Sequence, residues 1–332
     1  MSHFVGKNPV YIIAEIGGNH EGDFEYAKKL TRLAAESGAD AVKFQIYTGD
    51  SLVNAKYDPT RNKHFKNFEL SEEKYIELAK LCEDLGITFM ASVWDMEAFS
   101  WIDPYIPIYK VGSGDLTAYP LLKKMVLTGK PMILSTGLST FEEVQDAVDF
   151  INSVDPKFVE EQKLSILQCT SMYPIPYEDA NLNVMCTYME EFDLPIGYSD
   201  HTVGMEAIET AIVMGAEIIE VHFTDCREGK VFRDHKVSAT CSEIQELIKK
   251  IDRINTLKGS YEKKPTPSEI NAKHVDSFRR GVFVTRDIKQ GETLTESDLI
   301  TLRPNIGTGA ENFYKLIGTK VSENLDKLSK IK

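Results

Sequence analysis

The sequence has no CxxC pair, no apolar run near the ~20 residues of a membrane span and no basic block. Each absence removes a class of function. Its five cysteines, Cys82, Cys169, Cys186, Cys226 and Cys241, are odd in number and widely spaced. That argues against a disulfide framework and for reduced thiols. The stretch Met1 to Lys7 lacks the apolar centre of a secretion signal, so the expected location is cytoplasmic. A formal net charge of −13, with no basic cluster to offset it, argues against nucleic acid and anionic membranes as partners. No internal repeat or low-complexity tract is evident. The first apolar run ends in Glu15-Ile16-Gly17-Gly18-Asn19-His20 rather than in a GxGxxG turn, so the usual mark of an open dinucleotide-binding sheet is missing.

What is present is alternation. Strand patterns fall at Val10–Ile16, Ala41–Gln45, Thr88–Ser92, Ile108–Gly112, Met132–Ser135, Ser165–Cys169, Pro195–Tyr198 and Glu217–His222. Helical patterns fall between them, at Glu25–Ser37, Glu72–Leu85, Asp95–Ser100, Pro120–Leu127, Phe141–Asn152, Asn183–Glu190, Gly204–Met214 and Ser242–Ile254. Strands alternating with helices pair in parallel, and eight such units over ~250 residues close into a barrel. An open doubly wound sheet usually stops at five or six strands. The expected fold class is therefore α/β, a (β/α)8 TIM barrel over residues 1–256, with a Lys/Pro/Ser/Glu-rich linker at 257–275. A compact tail at 276–332, with short strand and turn signals, is a small β-rich second domain. The polar stretch Tyr47 to Leu70 after the second strand is too long for a simple turn and reads as a lid at the catalytic face.

On such a barrel the reacting groups stand at the C-terminal ends of the strands. Those ends present Glu15, then Lys43 and Gln45, Ser92, Lys110 and Ser113, Ser135, Tyr173, Ser199 and His201, and finally Glu220 and His222. Two lysines among serines suit an anion that carries both phosphate and carboxylate. His201 and His222 each follow a short apolar segment. If those segments are neighbouring parallel strands, the two imidazoles emerge together and can share a divalent metal. Plainer readings exist: strand-end lysines snorkel, single buried histidines are hydrogen-bonded core residues, and serines cap helices. Lys43 and Lys110, however, are embedded in apolar runs, and a carboxylate in an apolar strand, Glu15, needs a partner. His20, His64, His235 and His274 lack comparable partners and are expected to be surface or structural.

In order along nearly the whole chain, these segments resemble the sialic acid synthases. The resemblance rests on Ile12-Ile13-Ala14-Glu15-Ile16-Gly17-Gly18-Asn19-His20, Gly38-Ala39-Asp40-Ala41-Val42-Lys43-Phe44-Gln45 and Tyr109-Lys110-Val111-Gly112-Ser113-Gly114. It continues through Ile133-Leu134-Ser135-Thr136-Gly137, Cys169-Thr170-Ser171-Met172-Tyr173-Pro174 and the two histidine phrases, Ile196 to Thr202 and Ile219 to Asp225. The tail, from Arg280-Gly281-Val282 to Leu302-Arg303-Pro304, resembles the family's antifreeze-like (SAF) domain. The resemblance implies condensation of phosphoenolpyruvate with an N-acetylated amino sugar. Lys43, Ser92, Lys110, Ser113, Ser135 and Ser199 would hold phosphoenolpyruvate. His201 and His222 would bind Mn2+ or Mg2+, with Glu15 beside the metal water and Glu220 near the enolpyruvyl group. Gln45, Tyr173 and Asp234 would contact the sugar. Arg303 would reach its N-acyl group from the partner subunit of a domain-swapped homodimer.

The implied acceptor is N-acetylmannosamine; a 2,4-diacetamido sugar, leading to legionaminic or pseudaminic acid, is the alternative. Several positions depart from the family pattern. Ser92-Val93-Trp94 replaces the usual Thr-Pro-Phe, Asp115 stands for a glutamate, and the Gly-Pro-Asp-His phrase appears as Phe232-Arg233-Asp234-His235. The rival readings are a Schiff-base aldolase using Lys43 or Lys110 and a non-catalytic sugar-binding protein.

Overall fold

The computed structural model describes residues 3–331. Eight parallel strands close into a barrel: β1 (Tyr11–Glu15), β2 (Ala41–Ile46), β3 (Thr88–Val93), β4 (Tyr109–Val111), β5 (Met132–Ser135), β6 (Leu164–Cys169), β7 (Ile196–Asp200) and β8 (Ile218–His222). β8 pairs back onto β1, with Glu15 opposite His222, and β1 onto β2, with Glu15 opposite Lys43. The helices are α1 (Phe24–Ser37), α2 (Gly49–Leu52), α3 (Pro59–Lys66), α4 (Glu72–Leu85), α5 (Phe99–Ile102), α6 (Tyr119–Val126), α7 (Phe141–Val154), α8 (Lys157–Glu160), α9 (Val184–Glu191), α10 (Glu206–Met214) and α11 (Cys241–Lys258). Local chemistry sets their ends. Asp23 accepts from the Tyr26 amide to start α1, and Gly38, at φ +84, ends it in the left-handed region that glycine tolerates. Thr140 and Glu143 form a capping box on α7.

Side chains alternate across a strand, and here the alternation separates two cores. Ile12, Ala14, Val42, Phe44, Ala91 and Val111 point outward and pack beneath the helices. Tyr11, Ile13, Ala41, Met90, Ile108, Ile133, Leu167 and Ile218 point inward and, with Phe4, fill the barrel's interior. Ile13 is wholly buried, so cutting it to alanine would cost about 2–5 kcal/mol.

The long connection after β2 is not extended. It folds as α2 and α3, with Asn62 buried and donating to the Gly49 and Val53 carbonyls. That amide bonding sets structure on a segment whose apolar periodicity is too weak to announce it.

The chain divides into two compact units, one running to Lys258 and the other beginning at Gly259. The segment expected as an extended linker contains α12 (Pro267–Asn271), which a Thr266–Glu269 capping box and Pro267 in the first turn nucleate. After α13 (His274–Ser277), β9 (Gly281–Val284) pairs antiparallel with β10 (Leu299–Leu302), and α14 (Phe313–Leu316) follows. Val282, Val284, Ile288, Leu294, Leu299, Val321 and Ile331 form this unit's own core. No helix among the described residues is long and apolar enough to cross a membrane.

Candidate active site

Two residues beyond the inward apolar positions, the same inward column turns polar. Ile13 is followed by Glu15, Ala41 by Lys43, Met90 by Ser92, Ile108 by Lys110, Ile133 by Ser135, Leu167 by Cys169, and Ile218 by Glu220 and then His222. All of these polar residues are buried. The strand period alone therefore brings one polar layer together at the C-terminal mouth.

The floor of the site is an ionic cluster. Lys43 Nζ lies 3.1 Å from Glu15 Oε2 and 3.0 Å from Glu220 Oε1, and it donates to Ser92 Oγ at 3.3 Å. Lys110 Nζ lies 3.2 Å from Glu220 Oε2 and donates to Ser135 Oγ at 2.6 Å and to the Val111 carbonyl at 3.0 Å. Gln45 Nε2 donates to Glu15 Oε1 at 2.8 Å. Burial raises the Glu15 pKa above the ordinary carboxylate range, with Lys43 offsetting only part of it. Burial also works against the Glu220 charge, but Lys110 and Lys43 outweigh it and hold that carboxyl well below its usual range. Lys110 is lowered by burial. For Lys43 the same penalty is overcome by Glu15 and Glu220, and its pKa is raised. Buried ion clusters are costly to assemble and rarely add stability over an aliphatic core. Two carboxyls driven in opposite directions within one cluster are what acid–base chemistry uses.

Beside this floor stand the two imidazoles, ring centroids 5.3 Å apart, with the Tyr173 ring 4.0 Å from His201 and 5.7 Å from His222. His201 Nδ1 is 3.0 Å from the Thr170 carbonyl oxygen. That carbonyl can only accept, so Nδ1 carries the hydrogen and the ring meets the cavity through Nε2. His222 Nδ1 is buried without a hydrogen-bond partner among the described residues, and burial lowers the ring's pKa to about 4, which keeps one ring nitrogen's lone pair available. Burial works against a charged His201, but Cys169 and the Thr170 carbonyl outweigh it and raise that ring's pKa, so a metal would have to displace a proton there. With that proton gone, two imidazoles, one oriented by a carbonyl and one with an unpaired nitrogen, fit a divalent ion that completes its shell with water or substrate oxygens. No three His, Cys, Asp or Glu side chains among the described residues form a closed metal cluster.

A cavity of about 1420 Å³ opens over these groups, and Glu15, Lys43, Gln45, Ser92, Lys110, Ser113, Ser135, Tyr173, Ser199, His201, Glu220, His222 and Asp234 all line it. Ser113 Oγ accepts from the Gly137 amide at 3.0 Å. Arg303 belongs to the other unit, where it is exposed at the end of β10 with its guanidinium 5.4 Å from the Phe278 ring centroid.

Sequence reasoning missed several lining groups. Cys169, 3.9 Å from His201 Nδ1, obeys the same two-residue rule that placed Ser135 and Glu220, so its signal was present. Asp115 also lines the cavity; burial raises its carboxyl to about 6, against lowering by Trp94 and Lys110. His64 lines the mouth as well, its ring 4.7 Å from Phe68 and 6.2 Å from Phe232. The other histidines are structural or exposed. His20 is buried and accepts from the Gly22 amide, His235 is buried between Thr224 and Glu21, and His274 is exposed on Phe278.

The fold and this strand-end layer define a (β/α)8 barrel with a buried ionic layer at its C-terminal mouth, and comparison with known proteins places it. The NeuB family matches residues 30–263 and the SAF domain matches residues 279–328. The chain is 38% identical over 328 residues to N,N'-diacetyllegionaminic acid synthase of Legionella pneumophila, covering 95% of this chain and 91% of that protein. It is 33% identical over 331 residues to N-acetylneuraminate-9-phosphate synthase of Homo sapiens, covering 95% and 89%. It is 31% identical over 333 residues to pseudaminic acid synthase of Helicobacter pylori, covering 96% and 95%. The crystal structure of N-acetylneuraminic acid (sialic acid) synthetase from Leptospira borgpetersenii, in complex with citrate, superposes with a TM-score of 0.73 at 30% identity, covering 80% of this chain and 91% of that one. The chain belongs to the NeuB family and carries a C-terminal SAF domain.

Proposed function

We propose that this protein condenses phosphoenolpyruvate with an N-acetylated amino sugar of the N-acetylmannosamine type, giving a nine-carbon 2-keto sugar acid and phosphate. The observation that carries the reading is the buried Lys43–Glu220–Lys110 bridge beside the paired imidazoles. It supplies localised positive charge for a small, highly charged anion next to a site for a polarising ion.

In this reading Lys43 and Lys110 face the carboxylate and phosphate charge, and Ser92, Ser113, Ser135 and Ser199 donate hydrogen bonds to the same groups. Gln45, Tyr173 and Asp234 orient the open-chain sugar. A divalent ion on His201 and His222, manganese or magnesium, would supply Lewis-acid polarisation of the sugar aldehyde. C3 of phosphoenolpyruvate forms the new carbon–carbon bond to that aldehyde, which leaves cationic character at C2. Water adds at C2, and its proton passes to Glu15 Oε2, on a carboxyl that burial has already made more basic than usual. Glu220 faces the developing positive charge. The former aldehyde oxygen takes up the proton held at Glu15. The tetrahedral adduct then breaks the bond from C2 to the phosphate oxygen, and the C2 hydroxyl proton leaves with the phosphate as the ketone forms. Arg303 is the residue we propose to meet the sugar's N-acyl group from a second copy of the chain, in a homodimer.

The Schiff-base alternative needs a free amine, and the lowered Lys110 pKa speaks for it. Against it, Lys110 Nζ already meets Ser135, the Val111 carbonyl and Glu220, which leaves no lone pair aimed at a carbonyl. The deciding experiment measures phosphoenolpyruvate consumption with N-acetylmannosamine and with 2,4-diacetamido-2,4,6-trideoxy sugars, with and without chelator. Chelator-sensitive consumption with one sugar is the expected result. Chelator-resistant turnover with borohydride trapping of a lysine would overturn it.

A further inference from the structure

Two arginines at the rim have no place in the chemistry above. Phosphoenolpyruvate is served by lysines on the floor, so cations on the mouth loops ask for a different anion. Arg233, in the loop after β8, places its guanidinium carbon 4.6 Å from the centroid of the Tyr173 ring, and its Nε donates to Asp234 Oδ1 at 3.1 Å. The guanidinium is thereby held at its Nε edge and over one ring, on a side chain that is 68% exposed, while both Nη groups have no hydrogen-bond partner among the described residues. Tyr173 in turn lies against His201, so Arg233 stands one aromatic ring away from the reacting end of the site. Two other cations of that loop are engaged elsewhere, Arg227 with Glu243 and Lys230 with Asp225, and Lys236 is exposed and is not among the residues that line the cavity.

The second arginine comes from the opposite loop. Arg61, on α3, holds its guanidinium over the Phe65 ring at 5.6 Å and has no carboxylate within ion-pair distance among the described residues. Its helix carries Arg61, Lys63, His64 and Lys66 and no acidic residue, a local reversal in a chain of net charge −13. Ring contacts tie the two loops across the mouth: Phe68 lies 4.9 Å from Phe232, and His64 stacks on Phe232 at 6.2 Å. Arg61 and Arg233 therefore line one cavity from facing loops. Planar guanidinium forks match carboxylate and phosphate oxygens in a way that a lysine ammonium does not.

We infer that Arg61 and Arg233 form an anion subsite for the acceptor, and that the preferred amino sugar carries a phosphate or carboxylate at the end distal to its carbonyl. This rests on the synthase reading and refines its acceptor. A sugar whose aldehyde faces the histidines points its far end toward the mouth, where the arginines stand. Asp234, paired to Arg233, keeps the fork in place before the sugar arrives.

The test measures phosphoenolpyruvate consumption in the manganese-loaded enzyme with N-acetylmannosamine, its 6-phosphate, N-acetylmannosaminuronic acid and a 2,4-diacetamido-2,4,6-trideoxy sugar. One of the two anionic sugars should exceed both neutral ones in kcat/KM by about 100-fold, and which one it is separates phosphate from carboxylate. R233Q and R61Q should each shrink that ratio by tenfold or more through KM, and R233K should restore it only in part. A neutral sugar preferred by wild type, or a ratio unmoved in both variants, overturns the anion subsite while leaving the synthase reading in place. No consumption with any of the four sugars by folded, metal-loaded protein overturns the synthase reading itself.

Discussion

Glu220 and Lys110 face each other 3.2 Å apart with almost no solvent access, and Glu220 reaches Lys43 with its other oxygen. This one carboxylate bridges both buried cations of the floor. Removing it leaves two ammonium groups in a dry site, with only Glu15, which pairs with Lys43, to offset them. Breaking such a buried pair from one side costs about 3–5 kcal/mol, so Glu220→Ala should lower stability in urea by that amount. A loss under about 1 kcal/mol would mean that water or an ion already screens the lysines, and the dry-site argument would fail.

His222 offers the opposite contrast between structure and chemistry. Its Nδ1 has no hydrogen-bond partner among the described residues, so the fold gains little from the imidazole beyond its volume and ring contacts. His222→Ala should therefore keep its circular dichroism spectrum and a cooperative melt while losing manganese binding by calorimetry and losing turnover. Chelation of the wild type should reproduce the catalytic loss, and added divalent ion should reverse it. Undiminished metal affinity in the variant would move the ion to another place in the molecule.

Gly137 supports Ser113, which we propose to hold phosphoenolpyruvate, from behind. A Cβ there would stand 2.8 Å from Ser113 Oγ and would also collide with Ser171, and the Gly137 amide already donates to that same Ser113 oxygen. Gly137→Ala must push Ser113 off its position. The expected result is a rise of about tenfold in KM for phosphoenolpyruvate, equivalent to about 1.4 kcal/mol, with metal binding intact. An unchanged KM would remove Ser113 from the binding machinery.

The barrel was legible because its signal is local and repeated. Each strand is a short apolar run that switches to polar residues near its end, as Ile133 to Ser135 and Ile218 to Glu220 show. The inner site was legible for the same reason, since period two decides which strand-end residues converge. The rim was not. Phe68, His64 and Phe232 meet across more than 160 residues of chain, and no local pattern announces a contact between loops. Asp115 was noticed only as a departure, because its significance lies in burial, and burial depends on Trp94 and the neighbouring strand ends rather than on the adjoining sequence. Cys169 was within reach of the period-two rule, but free thiols read by default as core.

Asp115 gives the site a pH signature that can be separated from catalysis. Burial raises its folded pKa to about 6 from an ordinary 3.8. An acid raised in the folded state binds its proton more tightly there than in the unfolded chain. Its contribution to stability is therefore fully present below pH ~4 and is lost as pH rises through about 6. Asp115→Asn has no proton to lose, so between pH 4.5 and 7.5 the wild type should fall relative to the variant. The difference should reach the order of 1–3 kcal/mol and level off above pH 7. Urea midpoints for both proteins at half-unit pH steps measure this directly. A difference that stays flat across the window would show that Asp115 is solvated in the folded protein, and the burial argument for it would be wrong.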